Sequence, residues 1–348
     1  MNALLIYPEW PDTYWSFKHA LPFEGKRSAY PPLGLLTIAP LLPKHWKKRL
    51  VDTNVCPLTD ADLKWADIAL LSGMLVHKQD LLTILTRCRS RGLRTVIGGP
   101  VSSSVEELPR HADHVVIGEA EDLIAGLAAD LEQGRAKPVY QARELPGLDK
   151  TPLPDLSLIN PKYYSAMAIQ YSRGCPFNCE FCDIIEIYGR KPRTKSPAQV
   201  VAELQQLYER KWRGSVFIVD DNFIGNKRKV KEMLPVLAEW NLRHQRPFNF
   251  FTEASVNLAD DSELLQMMKE ACFKNRETKA TLRFCPPLRL SPHDFSSSTW
   301  AKIPFVPSSS IRSLRRSSFA RERRSSRPSS SFLLKPVRTS NNEECGAM

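Results

Sequence analysis

Short apolar runs alternate with amphipathic stretches along most of the chain, and the alternation comes in two phases. In the first, apolar runs at 3–7, 49–52, 68–72, 95–98 and 114–118 predict strands. Helical patterns lie between them, clearest at 79–91 and 121–131. Strands that are apolar throughout, separated by amphipathic helices, predict a parallel sheet covered on both faces. Each run ends in turn chemistry: Tyr7-Pro8-Glu9, Asp52-Thr53-Asn54, Ser72-Gly73-Met74, Gly98-Gly99-Pro100 and Gly118-Glu119. In open α/β sheets the ligand crevice lies along that carboxyl edge, and glycine lets backbone approach a ligand there. Tight βα turns explain any single one of these glycines equally well.

Prolines at 146, 152, 154 and 161 mark residues 141–161 as a linker between domains. The second phase begins with a strand at 166–171 that runs into a cysteine-bearing loop, with a helix at 197–211. A strand at 215–220 precedes a helix at 227–241, and a strand at 248–253 precedes one at 261–272. Three βα units with polar residues at the strand ends resemble one side of a βα barrel, whose chemistry gathers at that face. Beyond 273 neither period continues. Residues 273–348 hold 16 Ser and 7 Pro, too little apolar material to offset chain entropy, and disorder is the expectation.

Charge sharpens this division. The formal net charge of +11 suggests an acidic partner. Residues 273–348, however, carry 15 basic against 5 acidic groups, and residues 1–272 carry 34 against 33. The basic character belongs to the tail. Nucleic-acid binding through that tail is one alternative reading, because Arg-rich segments bind phosphate backbones. The tail has no interleaved aromatic pattern on which bases would stack. No apolar run approaches the roughly 18 residues of a membrane-spanning helix. The first residues read as a buried strand and not as a signal peptide. Eight cysteines are too few for a disulfide scaffold, so a cytoplasmic location is expected.

The strongest chemical signal is Gly174-Cys175-Pro176-Phe177-Asn178-Cys179-Glu180-Phe181-Cys182, three cysteines in one tight loop after a strand. Three neighbouring thiolates suit a metal centre. A closed zinc site needs a fourth ligand, and the next histidine downstream is His244. An iron–sulfur cluster also takes four ligands as a rule; three would leave one iron open and reactive. Zinc and an incidental group of cysteines stay open as alternatives.

With Phe181 before its last cysteine, the Cys175-x₃-Cys179-x₂-Cys182 spacing resembles the signature of the radical S-adenosylmethionine (SAM) superfamily. The flanking Gln170-Tyr171-Ser172-Arg173 and the string from Val219 to Lys227 strengthen the likeness. With Tyr30-Pro31-Pro32-Leu33-Gly34, Gly98-Gly99-Pro100 and Gly118-Glu119-Ala120-Glu121, residues 1–273 resemble cobalamin-binding-domain radical SAM proteins, in the branch that includes hopanoid methylases. The resemblance implies an α/β fold. A Rossmann-like cobalamin-binding-type domain (1–140) and a linker (141–161) would precede a partial radical SAM βα barrel (162–273) and a disordered Ser/Arg-rich tail (274–348).

The resemblance also implies a chemistry. Cys175, Cys179 and Cys182 would hold a [4Fe–4S] cluster whose open iron binds SAM. Electron transfer to SAM would generate a 5′-deoxyadenosyl radical, and cobalamin-dependent methyl transfer to an unactivated carbon would follow. SAM contacts would come from Phe181, Asp220, Asp221, Asn222 and Glu253, where the superfamily commonly has Gly-Gly-Glu in place of Asp220-Asp221-Asn222. A helix cap is the other reading of Asp221-Asn222. Cobalamin would lie on Ser72, Gly73, Met74, Gly98, Gly99, Pro100, Gly118 and Glu119. No Asp-x-His-x-x-Gly string is present, so cobalt would lack a protein histidine, and His77 and His111 read as surface or loop residues. The implied partners are a small-molecule or lipid substrate and an electron donor such as flavodoxin or ferredoxin. The chain departs from the family after Phe273, as a shifted reading frame would. On that reading turnover would be impaired, the third barrel strand would be a bare edge, and a non-catalytic cobalamin or metal carrier would be the remaining alternative.

Overall fold

The computed structural model describes residues 1–13, 16–104, 108–180 and 182–273. The tail expected at 274–348, and Phe181, lie outside the described residues. The first phase of the sequence becomes β1 (Asn2–Tyr7), α1 (Leu33–Ile38), β2 (Lys47–Asp52), α2 (Asp60–Trp65), β3 (Ile68–Ser72), α3 (Lys78–Arg89), β4 (Arg94–Gly98), α4 (Pro100–Ser104), β5 (His114–Ile117), α5 (Ile124–Glu132) and β6 (Val139–Gln141). The six strands form one parallel sheet in the order β2-β1-β3-β4-β5-β6. β6 was not visible as an apolar run, and the linker expected at 141–161 begins on its last residue.

Alternation along each strand fills both faces. Leu4, Ile6, Ala69, Leu71 and Ile97 pack with Leu63 of α2 and Leu81, Ile84 and Leu85 of α3. Their neighbours Ala3, Ile68, Leu70, Val96 and Val116 pack with Ile124, Leu127, Ala128 and Leu131 of α5. Each of the Leu, Ile and Val side chains contributes roughly 1.5–3 kcal/mol by leaving water. Local signals agree with the packing: Thr59 and Asp62 form a reciprocal capping box at the start of α2.

The second phase gives β7 (Met167–Ile169), β8 (Ser172–Arg173), α6 (Ile184–Tyr188), β9 (Arg193–Thr194), α7 (Pro197–Glu209), β10 (Gly214–Ile218), α8 (Lys227–Arg243), β11 (Phe248–Thr252) and α9 (Ser262–Glu270). β11, β10 and β7 form a second parallel sheet in that order. Helices α7, α8 and α9 cover its outer face, burying Leu204, Leu207, Val230, Leu234, Leu264 and Met268 against Met167, Ile169, Val216, Ile218 and Phe250. Ser196 and Gln199 close a capping box on α7, with Pro197 in its first turn. On the inner face Phe217 and Phe251 stack with centroids 4.9 Å apart, and the Tyr30 ring, from the segment ahead of α1, lies 4.9 Å from Phe217.

Both edges of this sheet meet other chain segments. Ser28 bridges Tyr164 in parallel beside the entry to β7, and Phe273 bridges Phe250 beside β11. The Phe250 N–H donates to the Cys272 carbonyl at 3.0 Å. The third strand expected as a bare edge is therefore paired at Phe250. The two sheets are joined by side chains as well: Leu36 of α1 belongs to the second sheet's core, and the Tyr164 hydroxyl donates to Asp52 at 3.1 Å.

His77 corrects its expected surface position. It lies in a 3₁₀ turn (Leu75–His77) after β3, is 1% exposed, and packs edge-on against Tyr7 and Trp10. His111 ends the 3₁₀ turn Leu108–His111 and is half-buried. The His77 Nδ1 accepts the Met74 N–H at 3.0 Å, which leaves the ring proton on Nε2, where it has no partner among the described residues. Burial pushes its pKa down to about 4. Because the folded chain favours the neutral ring, this contribution to stability is present above the ordinary value of about 6.5. It is lost as pH falls toward 4, up to about 3 kcal/mol. His77→Asn keeps an acceptor for Met74 and removes the titration. Its acid-unfolding midpoint, followed by circular dichroism, is expected to move to lower pH; an unchanged midpoint would contradict the assignment.

Candidate functional site

The cysteine loop leaves the second sheet just past β7 and returns through β9. Its neck is the two-residue antiparallel pairing of β8 with β9. Gly174 makes the crossing possible. It has φ +94°, and a Cβ there would meet the Gly189 carbonyl at 2.8 Å and those of Tyr188 and Lys191 at 3.0 Å. Cys175 is buried, while Cys179 and Cys182 are partly exposed. A turn closed from the Cys182 N–H to the Cys179 carbonyl (3.2 Å) leads into α6. Arg190 reaches across the loop to Asn178 at 2.6 Å.

Burial pushes Cys175 and Cys182 up, and negative charge on the neighbouring cysteines adds to the rise in both. Among the described residues, no three His, Cys, Asp or Glu side chains converge on a point that would hold a single ion.

The segment after β10 divides its labour in a way the sequence did not show. Asp220 is 1% exposed and supports the strand leading to the loop, accepting the Tyr171 N–H at 2.8 Å and the Ser172 hydroxyl at 2.6 Å. Burial raises its pKa to about 6. Asn222 is 2% exposed; it donates to the Cys175 sulfur at 3.9 Å and accepts from the Ser255 N–H at 3.2 Å. It stands at the start of a 3₁₀ turn (Phe223–Asn226) but its side chain caps nothing there, and α8 is capped by Asn226, whose side chain accepts the Lys229 N–H. Asp220 and Asn222 are thus supports of the loop. Asp221 is the member of the trio that is partly open to solvent. Its pKa is raised to about 7 by burial and then by the negative charges of Asp220, Glu253 and Asp183. Asp220, Glu253 and Asp183 therefore all lie near enough to Asp221 to oppose its charge.

Along the first sheet, the expected carboxyl-edge residues keep their places. Gly99 has φ +79°, and a Cβ there would lie 2.3 Å from the Ser72 hydroxyl oxygen. The Gly73 carbonyl accepts the Val101 N–H at 3.1 Å, and Pro100 opens α4. Met74, Leu75 and Val76 form an apolar patch there, 40%, 58% and 51% exposed. Gly118 has φ +87°. Glu119 differs from expectation. Its carboxylate turns into the junction with the cysteine loop, where both oxygens accept from arginines. The arginines that receive it, Arg173 and Arg193, were missed as functional residues. A basic residue at each end of the cysteine segment was the available signal.

The radical SAM superfamily model matches residues 169–275, the span that contains the loop and its supports. The chain is a member of the radical SAM superfamily. It is 46% identical over 275 residues to an uncharacterized methyltransferase of Synechocystis sp., covering 78% of this chain and 51% of that protein. It is 37% identical over 277 residues to the hopanoid C-2 methylase of Rhodopseudomonas palustris, covering 78% and 53%. The chain spans about half the length of these curated relatives. The fold matches the radical SAM methyltransferase TsrM from Kitasatospora setae, solved with tryptophan and a SAM analogue, at TM-score 0.59 and 14% identity (78% of this chain, 58% of that one). It also matches the cobalamin-dependent SAM radical enzyme OxsB, solved with aqua-cobalamin and SAM, at TM-score 0.58 and 18% identity (78% and 42%). The α/β architecture of this radical SAM protein, sheet and barrel strands together, is the one those structures share.

Proposed function

We propose that Cys175, Cys179 and Cys182 hold a [4Fe–4S] cluster with which the chain cleaves SAM, in the service of cobalamin-dependent methyl transfer to an unactivated carbon. The observation that carries this reading is the cysteine loop itself. Three thiols lie in one tight loop past the end of a barrel strand, and Asn222 donates to the innermost sulfur. The donor set fits the group. Thiolates on separate irons need not converge on one point as the ligands of a single ion must, and two of the three are open to an incoming cluster. When bound, the cluster supplies the electron for SAM cleavage and cobalamin the methyl group.

The chain's own residues have defined tasks in this reading. Asp220, through Tyr171 and Ser172, fixes the strand that launches the loop. Asn222 ties Cys175 to Ser255 at the end of β11, and a hydrogen bond to a ligating sulfur tunes the metal it binds. Asp221 and Glu253 offer negative charge to the ammonium of SAM. Phe181 keeps its proposed place near SAM. Ser72, Gly73, Met74, Gly98, Gly99, Pro100 and Gly118 carry the cobalamin, with the exposed apolar patch at 74–76 suited to a flat macrocycle. Inside the half-barrel, Tyr30, Phe217 and Phe251 give an aromatic wall that suits an apolar small-molecule or lipid substrate. An electron donor such as flavodoxin or ferredoxin completes the reaction.

Asp221→Asn removes the charge and keeps the shape. Its SAM dissociation constant, measured by equilibrium dialysis on the cluster-loaded chain, is expected to rise about tenfold, the loss of one charge-assisted contact. Binding as tight as in the parent chain would count against Asp221 as a SAM contact.

A further inference from the structure

The neck of the cysteine loop brings two like charges face to face. In the β8–β9 ladder Ser172 is opposite Thr194 and Arg173 is opposite Arg193. Like charges directly opposite one another on paired strands are destabilising. Both side chains are largely withdrawn from water, 11% and 16% exposed, so solvent screens them poorly. A two-residue ladder has little else with which to resist that repulsion.

One carboxylate from the other sheet bridges them. Glu119 Oε2 accepts from Arg173 Nη1 at 2.6 Å and from Arg193 Nη1 at 3.0 Å, and its Oε1 accepts from Arg193 Nη2. Glu121 takes Arg173 Nη2 at 2.8 Å, so two acids balance two bases inside the junction. The positive φ of Gly118 turns the chain just ahead of Glu119. Arg193 also donates to the carbonyls of Pro146 (2.6 Å) and Tyr188 (3.1 Å), fastening the neck to the segment between the sheets and to the end of α6.

We propose that Glu119 is a positioning residue that closes the neck of the cysteine loop, so that the N-terminal sheet governs how well ordered the three thiols are. The inference does not depend on which group the thiols bind. It makes the order of the loop a property of the junction and not of the barrel strands alone.

The test uses the full chain without iron. Each cysteine is alkylated with iodoacetamide and its labelling rate read by peptide mass spectrometry. Cys175, the buried thiol of the loop, reports its opening, and Cys88, fully buried in the first core, reports unfolding of the first sheet. Glu119→Gln is expected to speed labelling of the buried Cys175 at least about tenfold, because it leaves buried charges uncompensated and lowers the cost of local opening. Cys88 is expected to keep its parent rate. Adding Arg193→Gln removes the facing charge and is expected to return the loop toward the parent rate, which loss of mere packing would not do. Parent-like labelling in Glu119→Gln overturns the proposal, as does a double variant at least as open as the single one. Should Glu119→Gln expose Cys88 too, recovered protection in the double variant supports the proposal and continued exposure overturns it.

Discussion

Changing Cys175 to Ala is expected to reduce iron retained after anaerobic reconstitution to the level of a chain with all three loop cysteines changed. The thiolate is the ligand, and removing one of three leaves too few to hold a cluster that already lacks a fourth protein donor. The effect is sharpened by position. Cys175 is the buried member, bonded to Asn222 and aligned through its own N–H to the Gly189 carbonyl at 3.2 Å. Cys179→Ala and Cys182→Ala are expected to behave alike, and Cys56→Ala, just past β2 of the first sheet, to retain iron at the parent level. Iron and sulfide analysis after desalting checks all four. A Cys175→Ala chain that keeps its iron would remove the loop as the cluster site.

The second large effect concerns stability. Arg173→Met is expected to cost about 3–5 kcal/mol in urea unfolding at neutral pH, because it strands carboxylates already taken out of water. Glu121 would keep only Thr151 as a side-chain partner, at 3.2 Å, and Glu119 would keep only Arg193. The arginine's charge now holds Glu121 below the usual carboxylate range against the upward pull of burial. An exposed pair is the control: Lys150–Asp122 bridges at 2.9 Å with both side chains more than half exposed, and Lys150→Met is expected to leave the unfolding curve where it is. A loss below about 1 kcal/mol for Arg173→Met would mean that the junction is wetter than its burial indicates.

Period and turn chemistry made most of the fold legible. The strands at 68–72 and 114–117, the helix starting at Pro197 and the one starting at Lys227 follow from apolar spacing. β6 escaped because its three residues are partly exposed on a sheet edge, with no apolar run to mark them. The cysteines were legible because three ligands within eight positions constrain chemistry without needing tertiary contacts. The roles of Asp220, Asp221 and Asn222 were not. Adjacent residues after a strand end point in different directions, and only the packing shows that the outer two are buried supports. The burial of His77 and the arginine contacts of Glu119 escaped for a related reason. A polar side chain's burial depends on partners distant in sequence, Tyr7 and Trp10 for one and Arg173 and Arg193 for the other.

One measurement bears most directly on the cluster, its ligands and SAM together: the electron paramagnetic resonance spectrum of the reconstituted, reduced chain with and without SAM. The expected result is a reduced iron–sulfur signal that SAM alters, as binding at an open iron would require, and that disappears when Cys175, Cys179 and Cys182 are all changed to Ala. A signal indifferent to SAM, or one that survives loss of the three cysteines, would contradict the assignment of this loop as a radical SAM site.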